Sequence, residues 1–96
     1  MNDRMGLSLI AEVMGWPGDQ ARATQEYAWL RMMSAVKYDG YSFFRAGVRF
    51  IETLATWLKQ FELEDREAAY AFVKKRLVYV SLPEIHASLR ISSPRS

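Results

Sequence analysis

The chain has 96 residues, half of them hydrophobic and a quarter charged, which is typical of one small globular domain rather than of a disordered segment. Its formal net charge is only +2, so the composition does not favour the concentrated basic surface of most nucleic-acid-binding proteins. The absence of cysteine excludes disulfide bonds and thiolate metal sites. No apolar run reaches the roughly 20 residues of a membrane span, and no secretion signal is recognisable, so we expect a cytoplasmic protein.

Helical spacing of apolar residues predicts a first helix from about Asp3 to Met14. The segment GWPG (15–18) ends it, because Gly and Pro both interrupt helices. Asp19 is a suitable N-cap for a second helix, which extends to about Tyr38 and ends at Asp39-Gly40. The buried stripe of this second helix is expected to carry Ala23, Tyr27, Leu30 and Ser34 along one edge, and to be widened by Trp29, Met32, Met33 and Val36.

The segment FFRAGVRFIETLATWLKQF (43–61) carries more apolar side chains than one buried helix face requires. It predicts the central helix of the domain, flanked by the second and fourth helices. Its aromatic residues are typical of a core, and the excess leaves a surface for another chain as the alternative. If one side of this helix is exposed, we expect the partner contacts to be made by Arg45, Arg49, Phe50, Trp57 and Phe61.

A fourth helix is predicted to begin within residues 62–67, where acidic residues suit the positive end of the helix dipole. Lys74, Lys75 and Arg76 lie toward its other end, where the dipole favours cations. The β-branched run 77–81 fits either the end of this helix or an extended linker. The buried stripe of the fourth helix is expected to contain Ala69, Phe72, Val73, Leu77 and Val80.

A capping box at residues 81–84 predicts a short fifth helix from Pro83 to about Leu89. The predicted fold class is therefore all-α, a small bundle of four main helices plus a short C-terminal helix. Residues 1–91 are expected to form a single domain, and residues 92–96 a flexible polar tail.

The sequence offers little catalytic chemistry. His86 is the only histidine and lacks a second ligand for a metal, and the acidic residues of 62–67 lack the pattern of a calcium loop. No phosphate-binding loop or nucleophile motif is present. We therefore expect a protein that is not an enzyme, with no catalytic residue, cofactor or metal. Lys74, Lys75 and Arg76 are interpreted as a solvated helix end, with contact to nucleic acid as the alternative.

The stretches VKYDGYSFFRAGVRFIETLATWLKQF and EDREAAYAFVKKRLVYVSLPEIH resemble the N-terminal helical region of phosphoribosyltransferase-like proteins of bacterial conflict and defence gene clusters. The resemblance extends from about Tyr27 to His86. In such proteins a transferase domain follows, and its paired acidic residues and Thr/Gly-rich loop have no counterpart here. The resemblance therefore implies a helical accessory module and transfers no catalytic residue.

Together, these observations favour a non-catalytic helical protein-interaction module, with a protein partner or a homodimer. The resemblance links it to bacterial antiviral defence or to the inhibition of that defence. One alternative is a small nucleic-acid-binding protein that uses Arg45, Arg49 and the basic end of the fourth helix. Another is a truncated accessory domain of a phosphoribosyltransferase-like enzyme.

Overall fold

A computed structural model describes the backbone of residues 3–37 and 43–80 and of positions 84, 85, 87 and 89. Four helices make up most of this part of the chain: α1 (Asp3–Met14), α2 (Gln20–Lys37), α3 (Phe43–Leu58) and α4 (Leu63–Tyr79). No strand occurs among the described residues, so the all-α prediction is confirmed. None of the helices within the described ranges combines the length and apolar character that crossing a bilayer requires.

The central position of α3 explains its surplus of apolar residues. The described apolar side chains on two sides of α3 face the interior, since Phe50, Leu54 and Leu58 are fully buried and Trp57 is only 4% exposed. The expected neighbours were α2 and α4, but α3 packs mainly between α1 and α2 and touches α4 less extensively. The sequence pattern shows that two faces are buried, whereas it does not show which helix covers each of them.

The turn between α1 and α2 forms where the sequence predicts it. Gly15 has a φ of 77°, and its N–H donates to the carbonyl of Glu12 at 3.3 Å. The N–H of Trp16 reaches back to the carbonyl of Ala11 at 2.7 Å, which completes a Schellman motif at the end of α1. The motif turns the Trp16 ring into the core, where it is 4% exposed.

The predicted start of α2 is confirmed, and its predicted buried stripe is confirmed in part. The carboxylate of Asp19 accepts a hydrogen bond from the backbone N–H of Arg22 at 3.1 Å, which is the geometry of an N-cap. Ala23, Tyr27, Leu30 and Ser34 are buried as expected, whereas the prediction that Met32 belongs to the buried stripe is wrong, since this side chain is 54% exposed.

Helix α4 has the predicted charge distribution but a different buried face. It remains helical through Tyr79, and Val80 is extended (φ −119°, ψ 162°), so the β-branched run begins as helix and then leaves it. The prediction that Phe72 is buried is wrong, since this ring is 47% exposed. Tyr70 is buried instead, because it shares the inner side of α4 with Val73 and Leu77.

The predicted short C-terminal helix (83–89) and the polar tail (92–96) lie largely outside the described residues, as does His86. Of the four positions described there, Ile85 and Leu89 are buried, 1% and 4% exposed respectively. The fifth helix as a whole stays a prediction.

Gly6 permits a close approach between α1 and α2. A Cβ atom at this position would lie 2.7 Å from Cε1 of the buried Tyr27 ring, which is closer than packed carbon atoms come. We expect Gly6→Ala to lower the free energy of unfolding by about 1–3 kcal/mol, despite the better helix propensity of Ala. Urea denaturation monitored by circular dichroism measures this change.

Gly18→Ala is the matched control, because no heavy atom lies within 4 Å of a Cβ added there. We expect its free energy of unfolding to equal that of wild type or to rise slightly. A Gly6→Ala variant as stable as the Gly18→Ala variant would contradict the close packing of α1 on α2.

Candidate functional site

A groove lies between the end of α3 and the outer side of α4, with a volume of about 510 Å³. The ring of Phe61 packs edge-on against Trp57, with ring centroids 4.8 Å apart at 74°, and the two rings form its floor. Asp65 supplies a carboxylate at one side. The groove is lined by Trp57, Phe61, Asp65, Ala68, Ala69 and Phe72.

The exposed side of α4 continues this apolar surface. Ala68, Phe72 and Tyr79 follow one another at intervals of four and seven residues, which places them on the same side of the helix. Phe72 is 47% exposed and Tyr79 is 77% exposed. We call this side the α4 outer face, and it consists of Asp65, Ala68, Phe72, Lys75, Arg76 and Tyr79.

A second depression, of about 530 Å³, lies beside α1 and the start of α2. It is similar in volume to the α3–α4 groove, but the described residues of its lining include no aromatic side chain. Aromatic side chains are common anchors at protein interfaces, so chemistry rather than size favours the α3–α4 groove. The lining of this second depression is Arg4, Leu7, Ser8, Ala11, Glu12, Pro17 and Gln20.

The inner side of α4 is held to α2 by a cluster centred on Glu26. The carboxylate of Glu26 accepts hydrogen bonds from the hydroxyl of Tyr70 at 2.6 Å and from Nζ of Lys74 at 2.9 Å. The Lys74 ammonium group also lies 5.0 Å from the centre of the Trp29 ring. Lys74 is therefore engaged within the domain, although the sequence groups it with the exposed Lys75 and Arg76.

A second carboxylate, Glu67, extends the contact toward the α1–α2 turn. It accepts hydrogen bonds from Nε1 of Trp16 at 3.0 Å and from the guanidinium of Arg22 at 2.8 Å. Arg22 also stacks over the Trp16 ring, 4.3 Å from its centre. The α2–α4 clasp is our name for these residues: Trp16, Arg22, Glu26, Glu67, Tyr70 and Lys74.

Arg66 ties the start of α4 to the ends of two other helices. Its guanidinium donates to the carbonyl oxygens of Val13 at 2.8 Å, Phe61 at 3.1 Å and Lys59 at 3.5 Å. The last carbonyls of a helix lack partners within the helix and carry partial negative charge, so a cation there is favourable. Arg66 thus joins the end of α1, the α3–α4 turn and the first turn of α4.

Burial and hydrogen bonding shift the pKa values of two groups in the clasp. Partial burial raises the pKa of Glu26, but hydrogen bonds from Tyr70 and Lys74 and the charges of Lys74 and Arg22 outweigh it, so the net pKa lies below the ordinary value. Burial, followed by the bond to Glu26, raises the pKa of Tyr70 well above its ordinary range. At neutral pH an ionised carboxylate therefore accepts a hydrogen bond from a neutral phenol.

The residues predicted for partner contact separate into buried and exposed groups. Phe50 is fully buried and Trp57 nearly so, which leaves only the groove edge of Trp57 within reach of a partner. Phe61 is half-buried in the groove, and Arg49 is exposed. Arg45 lies in α3, but its side chain is outside the described part.

Among the side chains that the structure describes, the large exposed aromatic rings are Phe72 and Tyr79 of α4, whereas Phe50 and Trp57 of α3 are buried beneath neighbouring helices. Sequence reasoning assigned Phe72 to the core and gave Tyr79 no role. The available signal was the spacing of Ala68, Phe72 and Tyr79, which marks a second apolar side opposite Val73 and Leu77.

Comparisons of the chain with protein-family models, with curated proteins and with solved structures found no match. The resemblance to the helical region of phosphoribosyltransferase-like proteins therefore stays a prediction. Within the described residues, no group of three or more His, Cys, Asp or Glu side chains is placed to hold a metal ion.

Substitutions at Trp57 and Phe72 test whether Trp57 belongs to the core and Phe72 to the surface. Trp57→Ala is expected to lower the free energy of unfolding by about 3–5 kcal/mol, because a nearly buried indole is removed. Phe72→Ala is expected to change it by less than about 1 kcal/mol, because half of that ring is already in solvent. Chemical denaturation at a dilute protein concentration measures both, and equal losses would contradict the assignment of Phe72 to the surface.

The lowered pKa of Glu26 predicts a pH-dependent contribution to stability. A carboxyl group whose pKa is lower in the folded state contributes fully above its unfolded value, near 4.5, and loses that contribution as pH falls through the folded pKa. We expect Glu26→Gln to cost about 1 kcal/mol at pH 7 and progressively less below pH 4.5. Urea denaturation from pH 7 to pH 3 measures the difference from wild type.

Glu52→Gln is the control, because Glu52 is an exposed residue of α3 outside the clasp. Its difference from wild type is expected to stay below about 0.5 kcal/mol at pH 7. A Glu26→Gln deficit that is unchanged between pH 7 and pH 3 would show that the charge on Glu26 does not hold α4.

Proposed function

We propose that this chain is a non-catalytic protein-interaction module whose contact surface is the α3–α4 groove together with the α4 outer face. The observation that carries the proposal is the exposure of Phe72 and Tyr79 beside a groove floored by Trp57 and Phe61. Aromatic residues are enriched at the centres of protein interfaces, and large exposed aromatic side chains rimmed by charged residues are typical of a contact site.

Burial of the Phe72 and Tyr79 rings sets the scale of the binding free energy. Complete burial of one large apolar side chain contributes about 1.5–3 kcal/mol, so Phe72 and Tyr79 together supply a substantial part of a micromolar affinity. The clasp and Arg66 already hold α4 in place, so binding does not require this helix to become ordered. Its surface is preorganised for a partner.

A link to bacterial antiviral defence, or to its inhibition, is supported only by the resemblance of residues 27–86 to helical regions of defence-associated proteins. The same resemblance supports an accessory role beside a phosphoribosyltransferase-like domain, and the α4 outer face is then the surface that contacts that domain. Nucleic-acid binding receives less support, because Glu26 engages Lys74 within the domain and leaves Arg49, Lys75 and Arg76 as the exposed cations of the predicted basic set.

Affinity capture of proteins from lysate, with three immobilised forms of the chain as baits, tests the proposed surface. The baits are wild type, Phe72→Asp and Met32→Asp, since Met32 is equally exposed (54%) but lies on α2 outside the groove. We expect a bound protein to be retained by wild type and by Met32→Asp and to be reduced at least tenfold on Phe72→Asp, because a carboxylate cannot enter an apolar interface unpaired.

Far-UV circular dichroism of each bait shows that the substitution has not unfolded the domain. Retention of the same proteins in the same amounts on all three baits would show that binding does not depend on the α4 outer face. That result would contradict the proposed function.

A further inference from the structure

The charges of α4 are separated along its length in a way that suits one particular partner. The first turn carries Glu64 and Asp65, and the final turns carry Lys75 and Arg76, all of them exposed. When two such helices lie antiparallel, the acidic end of each meets the basic end of the other. When they lie parallel, like charges meet instead, so the pattern favours an antiparallel pair of identical helices.

A single register satisfies both the charges and the shapes. When a two-fold axis places Ala68 of one copy against Phe72 of the second copy, Glu64 and Asp65 lie alongside Lys75 and Arg76 of the second copy. The same register brings Phe61, at the far end of the groove, close to Tyr79 of the second copy. Each symmetric contact occurs twice, as in any isologous interface.

The groove supplies the space for this arrangement. Ala68 is the smallest side chain on the α4 outer face and lines the groove next to Trp57 and Phe61. A phenyl ring that enters above Ala68 meets the edges of two aromatic rings, which is a favourable geometry. The groove of one copy thus has the position and chemistry to receive Phe72 of the other.

From this complementarity we infer that the α3–α4 groove is occupied by Phe72 of a second copy of this chain, in an antiparallel α4–α4 dimer. The inference rests on the proposed function and names the partner at the same site. A helix of 17 residues is about 25 Å long, so this face buries roughly 500 Å² per copy, at the low end of specific interfaces. An interface of this size is typical of weak, reversible association.

A charge-swap experiment tests the dimer and its orientation together. Asp65→Lys and Lys75→Asp are each expected to weaken self-association at least tenfold, because like charges then face each other at two symmetric positions. An equimolar mixture of the two variants is expected to regain the association of wild type, because both contacts between positions 65 and 75 of the mixed dimer then pair Lys with Asp. Sedimentation equilibrium from about 1 µM to about 1 mM measures each Kd.

Far-UV circular dichroism verifies that each variant is folded, and Glu64→Arg with Arg76→Glu is a second complementary pair if one of the first fails to fold. The inference is overturned if wild type is monomeric at about 1 mM, if the single variants associate like wild type, or if the mixtures remain monomeric. If wild type is monomeric but still captures another protein through Phe72, only the dimer is contradicted. If wild type captures no protein through Phe72, the proposed function is contradicted as well.

Discussion

The rotation of α4 about its own axis is the constraint on which the surface of this domain depends. Two sets of contacts fix it: Arg66 bonds to backbone carbonyls at the ends of α1 and α3, and Glu26 accepts from both Tyr70 and Lys74. Adjacent residues of a helix point about 100° apart, so directing Tyr70 and Val73 inward directs Phe72 outward. A rotation of one residue would bury Phe72 and break the hydrogen bonds of Glu26.

Ionised side chains on α4 serve two different purposes. Arg66, Glu67 and Lys74 act within the domain, where each bonds to a residue far away in the sequence. Asp65 and Arg76 lie in solvent at opposite ends of the α4 outer face, where single ion pairs contribute little affinity but select orientation. In the dimer that we propose, the apolar groove between them supplies the attraction. The same helix then holds the bundle together on one side and presents a polarised contact surface on the other.

Local features were predictable from the sequence, and long-range ones were not. The limits of α1, the Schellman turn at Gly15 and the cap at Asp19 each depend on a few neighbouring residues. The contacts of Trp16 with Glu67 and of Arg66 with Val13 join residues more than 50 positions apart, and periodicity carries no information about them. The sequence indicated a surplus of aromatic side chains and named α3 as a partner surface on the condition that one of its sides is exposed. In the described part of the chain, packing against α1 and α2 buries Phe50 and Trp57 of α3, and the exposed rings are Phe72 and Tyr79 of α4.

Hydroxyl-radical footprinting of individual side chains, at a dilute and at a high protein concentration, tests most directly whether α4 presents its outer face to a partner. Phe72 and Tyr79 are expected to be oxidised rapidly in dilute protein and to be protected at high concentration, whereas Phe50 and Trp57 are expected to be protected at both. Protection of Phe72 in dilute protein, or rapid oxidation of Phe50, would contradict the orientation of α4 and the buried position of α3.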